Sequence, residues 1–137
     1  MKSPVEQMRA VVEAAERSGI DANAYHFLMR ALNHTLLMVG ERRHVTGREL
    51  IDGFKDLLRK ECGHAAPWLL ERWGIREALD VGRIVFDLIE LGLLARRPED
   101  SMDDFREGLD PATDFPDSDD AEIHWEFLPI YSGGEMQ

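Results

Sequence analysis

Apolar residues recur every three to four positions through the first 95 residues, and glycines cut that pattern into helix-sized blocks. The first block opens with Ser3 as cap, Pro4 in the first helical position and Glu6 closing a capping box. Val5, Met8, Val12 and Ala15 follow at helical spacing, and Gly19 ends the block. A second helix is predicted from the cap Asp21 to Gly40, with Tyr25, Leu28, Leu32, Leu36 and Val39 on one stripe. Phe27, Met29 and Leu37 lie off that stripe, so more than one of its faces should be covered.

After the polar link Glu41-Arg-Arg-His44, Thr46 and Glu49 form a second capping box. They open a helix whose face is Leu50, Phe54, Leu57 and Leu58, stopped by Gly63. A shorter helix over Ala65–Trp73 turns Ala66, Leu69, Leu70 and Trp73 inward and closes at Gly74. The clearest helix starts at the cap Asp80, with Val81, Ile84, Val85, Leu88 and Ile89 at i, i+3, i+4, i+7, i+8. Gly92 ends it, and Leu93-Leu94-Ala95-Arg96 reads as a short strand.

Three helices followed by a strand and a turn-rich segment, Pro98 to Ser101, trace the outline of a winged helix. The helix from Asp80 would take the recognition position. A competing local reading has Ser101 capping a short helix through Asp104, which leaves no wing. The fold class expected is mainly α: a helical domain over residues 1–108, with a winged-helix-like core at about 46–106. An acidic extension over 109–137 completes it. Leu109 to Asp120 has little to bury and reads as a linker. Ile123, Trp125 and Phe127 then alternate with His124 and Glu126 as in a short strand with one apolar face.

Charge sharpens that division. Residues 98–137 hold 13 of the 27 Asp and Glu and a single base, Arg106, whereas the first 97 residues are nearly balanced. The lone Cys62 allows no intrachain disulfide and fits a reducing compartment. No apolar run could serve as a signal peptide or membrane span, so a cytoplasmic protein without membrane contact is expected.

Several stretches resemble a family of uncharacterised bacterial proteins from planctomycetes, verrucomicrobia and related phyla. They are Arg43-His-Val-Thr-Gly-Arg-Glu-Leu50, Trp73-Gly-Ile75, Asp80-Val-Gly-Arg-Ile-Val-Phe86, Leu88-Ile-Glu-Leu-Gly-Leu-Leu94 and Asp100-Ser-Met-Asp-Asp-Phe105. The resemblance runs from Tyr25 to about Phe105 in the right order. It implies no activity, because that family has none assigned.

Candidate sites are few. Arg42, Arg43, His44 and Arg48 form the one basic cluster, beside a helix N-terminus whose free N–H groups favour anions. It suits a phosphate, a carboxylate or the chain's own acidic tail; the plainer reading is a solvated turn. Trp125 and Phe127 are candidate anchors, packing within the chain or on a partner. The five histidines and Cys62 show no metal-ligand spacing, and no phosphate loop or nucleophile elbow is present. No cofactor, metal or catalytic residue is therefore expected. Cys62 as a nucleophile would need a base, for which His64 is only a neighbour in sequence.

These features favour a non-catalytic protein-interaction or regulatory module with an acidic, aromatic-anchored tail, whose partner is another protein or its own body. The alternative is a winged-helix-like nucleic-acid-binding regulator using Arg42 to Arg48. Charge disfavours it: the helix from Asp80 offers Arg83 alone against Asp80, Asp87 and Glu90, and an acidic tail repels phosphates. Oligomeric state is open.

Overall fold

The computed structural model of the chain describes residues 3–40, 44–95 and 102–115. The protein is mainly helical, with α1 (Pro4–Ser18), α2 (Ala22–Val39), α3 (Gly47–Cys62), α4 (Ala66–Trp73) and α5 (Ala78–Glu90). Short 3-10 turns cover Gly63–Ala65 and Met102–Phe105. No strand occurs among the described residues.

The predicted caps set most boundaries. Ser3 Oγ accepts the Glu6 N–H, and Asp21 accepts that of Asn23 at 2.7 Å. Thr46 and Glu49 exchange both bonds of a capping box, at 3.1 and 2.8 Å. One start moves. The helix expected from Asp80 begins at Ala78, and Asp80 instead reaches back to the Arg76 and Glu77 N–H groups at 2.8 and 3.3 Å. A carboxylate one turn inside a helix can satisfy the same orphan donors as a cap, so periodicity alone cannot place it.

The end of α5 also differs from expectation. Leu93 N–H donates to Leu88 C=O at 2.9 Å and Gly92 N–H to Ile89 C=O at 3.0 Å, a Schellman closure around the left-handed Gly92. That closure consumes Leu93 as the apolar partner of Leu88, and the chain continues through bends to Ala95 rather than as a strand. Arg96 and the rest of the expected wing, through Ser101, lie outside the described residues. Met102–Phe105 forms the short helix of the competing reading.

Helix α2 is the centre of the body: α1, α3, α4 and α5 all pack on it. Its first half is accordingly buried on two sides through Ala24, Tyr25, Phe27, Leu28 and Ala31. Its last turns are not, and Leu37 is 81 % exposed. Phe27 meets Phe54 edge-on at 5.5 Å and Trp73 at 5.3 Å, tying α2, α3 and α4 into one aromatic cluster. Each such ring, fully removed from water, contributes about 1.5–3 kcal/mol.

Helix α1 turns a different face inward from the one its large residues mark. Val5 and Met8 are 67 % and 59 % exposed, and Val12 is exposed too; Val11, Ala14 and Ala15 are buried. Val11 and the small Ala14 and Ala15 form the face by which α1 packs on α2 and α5. The same logic acts between α2 and α3. A β-carbon on Gly53 would stand 1.8 Å from Thr35 Oγ1 and 3.2 Å from Thr35 Cα, so the two backbones nearly touch there. The Thr35 hydroxyl lies in the space left by Gly53 and donates to the Ala31 carbonyl at 2.7 Å.

Candidate functional site

The C-terminal half of α2 diverges from α5, and the space between them is an apolar cleft of about 180 Å³. Leu32 and Leu36 form one wall, Val85 and Ile89 the other, and Val45 with Leu50 the floor near the start of α3. Leu94 and Phe105 flank the opening; His44 and Asp104 give it a polar edge.

Phe105 sets the shape of that edge. Its ring is buried between two glycines on different helices. A β-carbon on Gly82 of α5 would meet Phe105 Cβ at 2.7 Å, and one on Gly47 at the start of α3 would meet Phe105 Cζ at 2.9 Å. Phe86 adds an edge-on contact at 6.2 Å. The 3-10 turn thereby clasps the N-terminus of α3 to the middle of α5.

Beyond Phe105 the acidic segment lies along α3 from its N-terminal end toward its last turns. Glu107 faces Arg48 at 3.9 Å, and the left-handed Gly108 touches Ile51. Leu109 is buried, Asp114 pairs with Lys55 at 3.6 Å, and Phe115 is buried under the Arg59 guanidinium at 5.7 Å. Arg59 Nε also donates to the Asp114 carbonyl at 3.0 Å. Residues 109–115 are thus held on the body, contrary to the linker expected from their composition. Two apolar side chains and a cationic face suffice to seat them. The exposed Arg48–Glu107 pair contributes about 0–1 kcal/mol, and the buried rings contribute more.

The predicted basic cluster divides accordingly. His44 is an exposed residue on the cleft edge, and Arg48 begins the cationic face that continues through Lys55 and Arg59. Arg42 and Arg43 lie outside the described residues, as do Trp125 and Phe127. The α3 N-terminus, offered by the sequence to an outside anion, already carries the chain's own Glu49 in its capping box. Asp104 also packs there, its Cβ on the space a Gly47 β-carbon would fill. Acidic residues at this end complement the helix dipole without a ligand.

Sequence reasoning passed over Lys55, Arg59 and Phe105. Arg48, Lys55 and Arg59 stand seven and four residues apart, a spacing that already places them on one face of α3.

Three polar clusters stiffen the body. The Tyr25 hydroxyl donates to Asp87 at 2.5 Å and lies 2.9 Å from Ser18 Oγ. Burial first, then the bond to Asp87, pushes the Tyr25 phenol up to about 12. Arg30 pairs with the buried Glu61 while stacking over Phe27. His34 and Lys60 contact Asp56 at 2.7 and 3.1 Å. Burial pushes the Asp56 carboxyl up, but these two partners outweigh it and hold it below its ordinary value.

Cys62 is fully buried, and desolvation, followed by the neighbouring Glu61 charge, raises its thiol to about 12. A thiol in that state is a packing group rather than a nucleophile. Among the described residues no group of three His, Cys, Asp or Glu could hold a metal ion, and no helix is long and apolar enough to cross a membrane. No known protein-family model, curated protein or solved structure matches the chain.

Proposed function

We propose that the chain is a non-catalytic protein-interaction or regulatory module. Its working surface is the apolar cleft with the adjoining basic residues, and its acidic segment with Trp125 and Phe127 is the element that makes contact. The observation that carries this reading is the seating of residues 107–115 on the cationic face of α3. It pairs an acidic segment with a basic helix face through buried aromatic and aliphatic anchors, the chemistry by which acidic peptides are recognised. The basic partners expected from the sequence, Arg42, Arg43, His44 and Arg48, would extend that face toward the cleft. The resemblance over residues 25–105 adds no activity to this reading.

Nucleic-acid binding through a winged-helix-like core is the weaker reading. Val81, Gly82, Ile84, Val85 and Leu88 commit α5 to the body, and Phe86 and Asp87 are half-buried. Arg83, the basic residue of α5, is engaged with Asp80 at 3.5 Å and with the Ser18 carbonyl at 3.3 Å. A recognition helix needs an open face with donors for base edges.

The test is affinity capture by the full chain from native lysate, with and without nuclease, wild type and the Trp125→Ala/Phe127→Ala variant being compared side by side. A near-stoichiometric protein recovered by wild type and lost with the variant is expected. A recovered set that is identical for both proteins, or that vanishes with nuclease, would refute the reading.

A further inference from the structure

The described chain ends at Phe115 with its acidic segment already lying on its own body. From there to Trp125 the sequence carries Asp117, Asp119, Asp120 and Glu122 and no Lys or Arg. Phe115 sits over Arg59, and the apolar cleft lies near Gly47 and Leu50 at the other end of the same helix. The twelve residues from Gly47 to Arg59 span about 18 Å of helix. The seven residues 116–122 reach up to about 25 Å when extended. The length of residues 116–122 therefore suffices for residue 123 to reach the cleft.

We propose that the cleft between α2 and α5 is the seat of the chain's own residues 123–127, with Trp125 as the inserted side chain. The proposal rests on the interaction-module reading above and deepens it: the cleft is held in cis until a partner takes either the cleft or the tail. Four features fit this occupant. The lining is mostly aliphatic and aromatic, with polar side chains at His44, Thr46 and Asp104, as suits an indole that carries a single N–H. The volume, about 180 Å³, accommodates one large aromatic side chain rather than a helix. A short tether sets the local concentration of the segment near the millimolar range, so a cis contact forms even where the same peptide in trans binds weakly. Ile123, Trp125 and Phe127 alternate with His124 and Glu126 in sequence, so an extended segment would carry the three apolar residues on one side.

The experiment uses the full chain carrying His124→Cys with a nitroxide spin label. Cys62, buried and with its thiol raised to about 12, does not compete for the label. Methyl NMR signals of Leu36, Val45 and Leu94 are expected to lose most of their intensity, those of Val11 and Leu69 are not, and adding Trp125→Ala restores the lost signals. Cleft signals unaffected by the label, or affected equally with Trp125→Ala, would overturn the proposal. So would broadening that appears on unlabelled molecules in a mixed sample, which would make a second copy the occupant. Because these readouts contain no partner, they can fail while lysate capture through Trp125 and Phe127 succeeds, and the reverse.

Discussion

Substituting Gly53 by alanine sets a local preference directly against packing. In an exposed helix the change stabilises by about 1 kcal/mol, because alanine restricts the unfolded chain and glycine does not. Here the new methyl would stand 1.8 Å from Thr35 Oγ1, about 1.6 Å inside ordinary van der Waals contact. Rotating Thr35 does not clear the space, because its Cβ and Cα would still lie at 2.9 and 3.2 Å. The hydroxyl would also give up its bond to the Ala31 carbonyl. α2 and α3 must therefore separate at their closest point. Overpacking of this kind costs about 1–3 kcal/mol, and the lost hydrogen bond adds about 1 kcal/mol. Net of the helix preference, Gly53→Ala is expected to destabilise by about 1–3 kcal/mol, a large share of the stability of a domain this size. Urea unfolding followed by circular dichroism would show it as a lower midpoint at unchanged slope. Thr35→Gly should relieve part of the cost in the double variant, giving a coupling of about 0.5–3 kcal/mol. A neutral or stabilising Gly53→Ala would refute the close crossing of α2 and α3.

Three further outcomes follow from the polar clusters. Tyr25→Phe leaves the Asp87 carboxylate without its 2.5 Å donor and should cost about 1–3 kcal/mol in denaturant unfolding; a neutral result would remove Tyr25 from the network. Because the Tyr25 phenol is raised to about 12, its contribution is complete below pH 10 and lost as pH rises toward 12. In a Tyr131→Phe background, ultraviolet titration should therefore show no phenolate until near pH 12. Asp56, held below its ordinary value, contributes stability above about pH 4 that disappears on further acidification. Asp56→Asn should flatten the acid limb of a stability–pH curve, and an unchanged limb would contradict the His34 and Lys60 contacts. Finally, iodoacetamide at pH 8 should leave Cys62 unmodified in the folded protein and alkylate it in urea, by mass spectrometry; rapid native labelling would contradict its burial.

Capping signals and the large apolar stripes were readable along the chain, because both act within one or two turns. The Thr46–Glu49 box, the faces of α3 and α4 and the exit at Gly92 required no tertiary information. Helix α1 was misread for a physical reason. Helical spacing marks Val5, Met8, Val12 and Ala15, of which Ala15 alone is buried; Val11 and Ala14 complete the inward face, and side-chain size gives no sign of them. Gly47, Gly53 and Gly82 count as weaknesses by propensity and are contact points in the fold, a property only their neighbours reveal. Phe105, Leu109 and Phe115 are scattered through acidic sequence at no regular period, so nothing local marks them as anchors. Lys55 and Arg59, which lie outside the basic cluster of the sequence, read there as ordinary surface charges.

The seating of residues 105–115 on α3 also decides where this protein can be cut. Composition changes at Gly108, and a truncation designed on that change would end the chain there. It would remove Leu109 and Phe115 from the packed body and strand Lys55 and Arg59 without the carboxylate and carbonyl they hold. An expression fragment meant to preserve the helical body should therefore run at least through Phe115, seven residues past the apparent border.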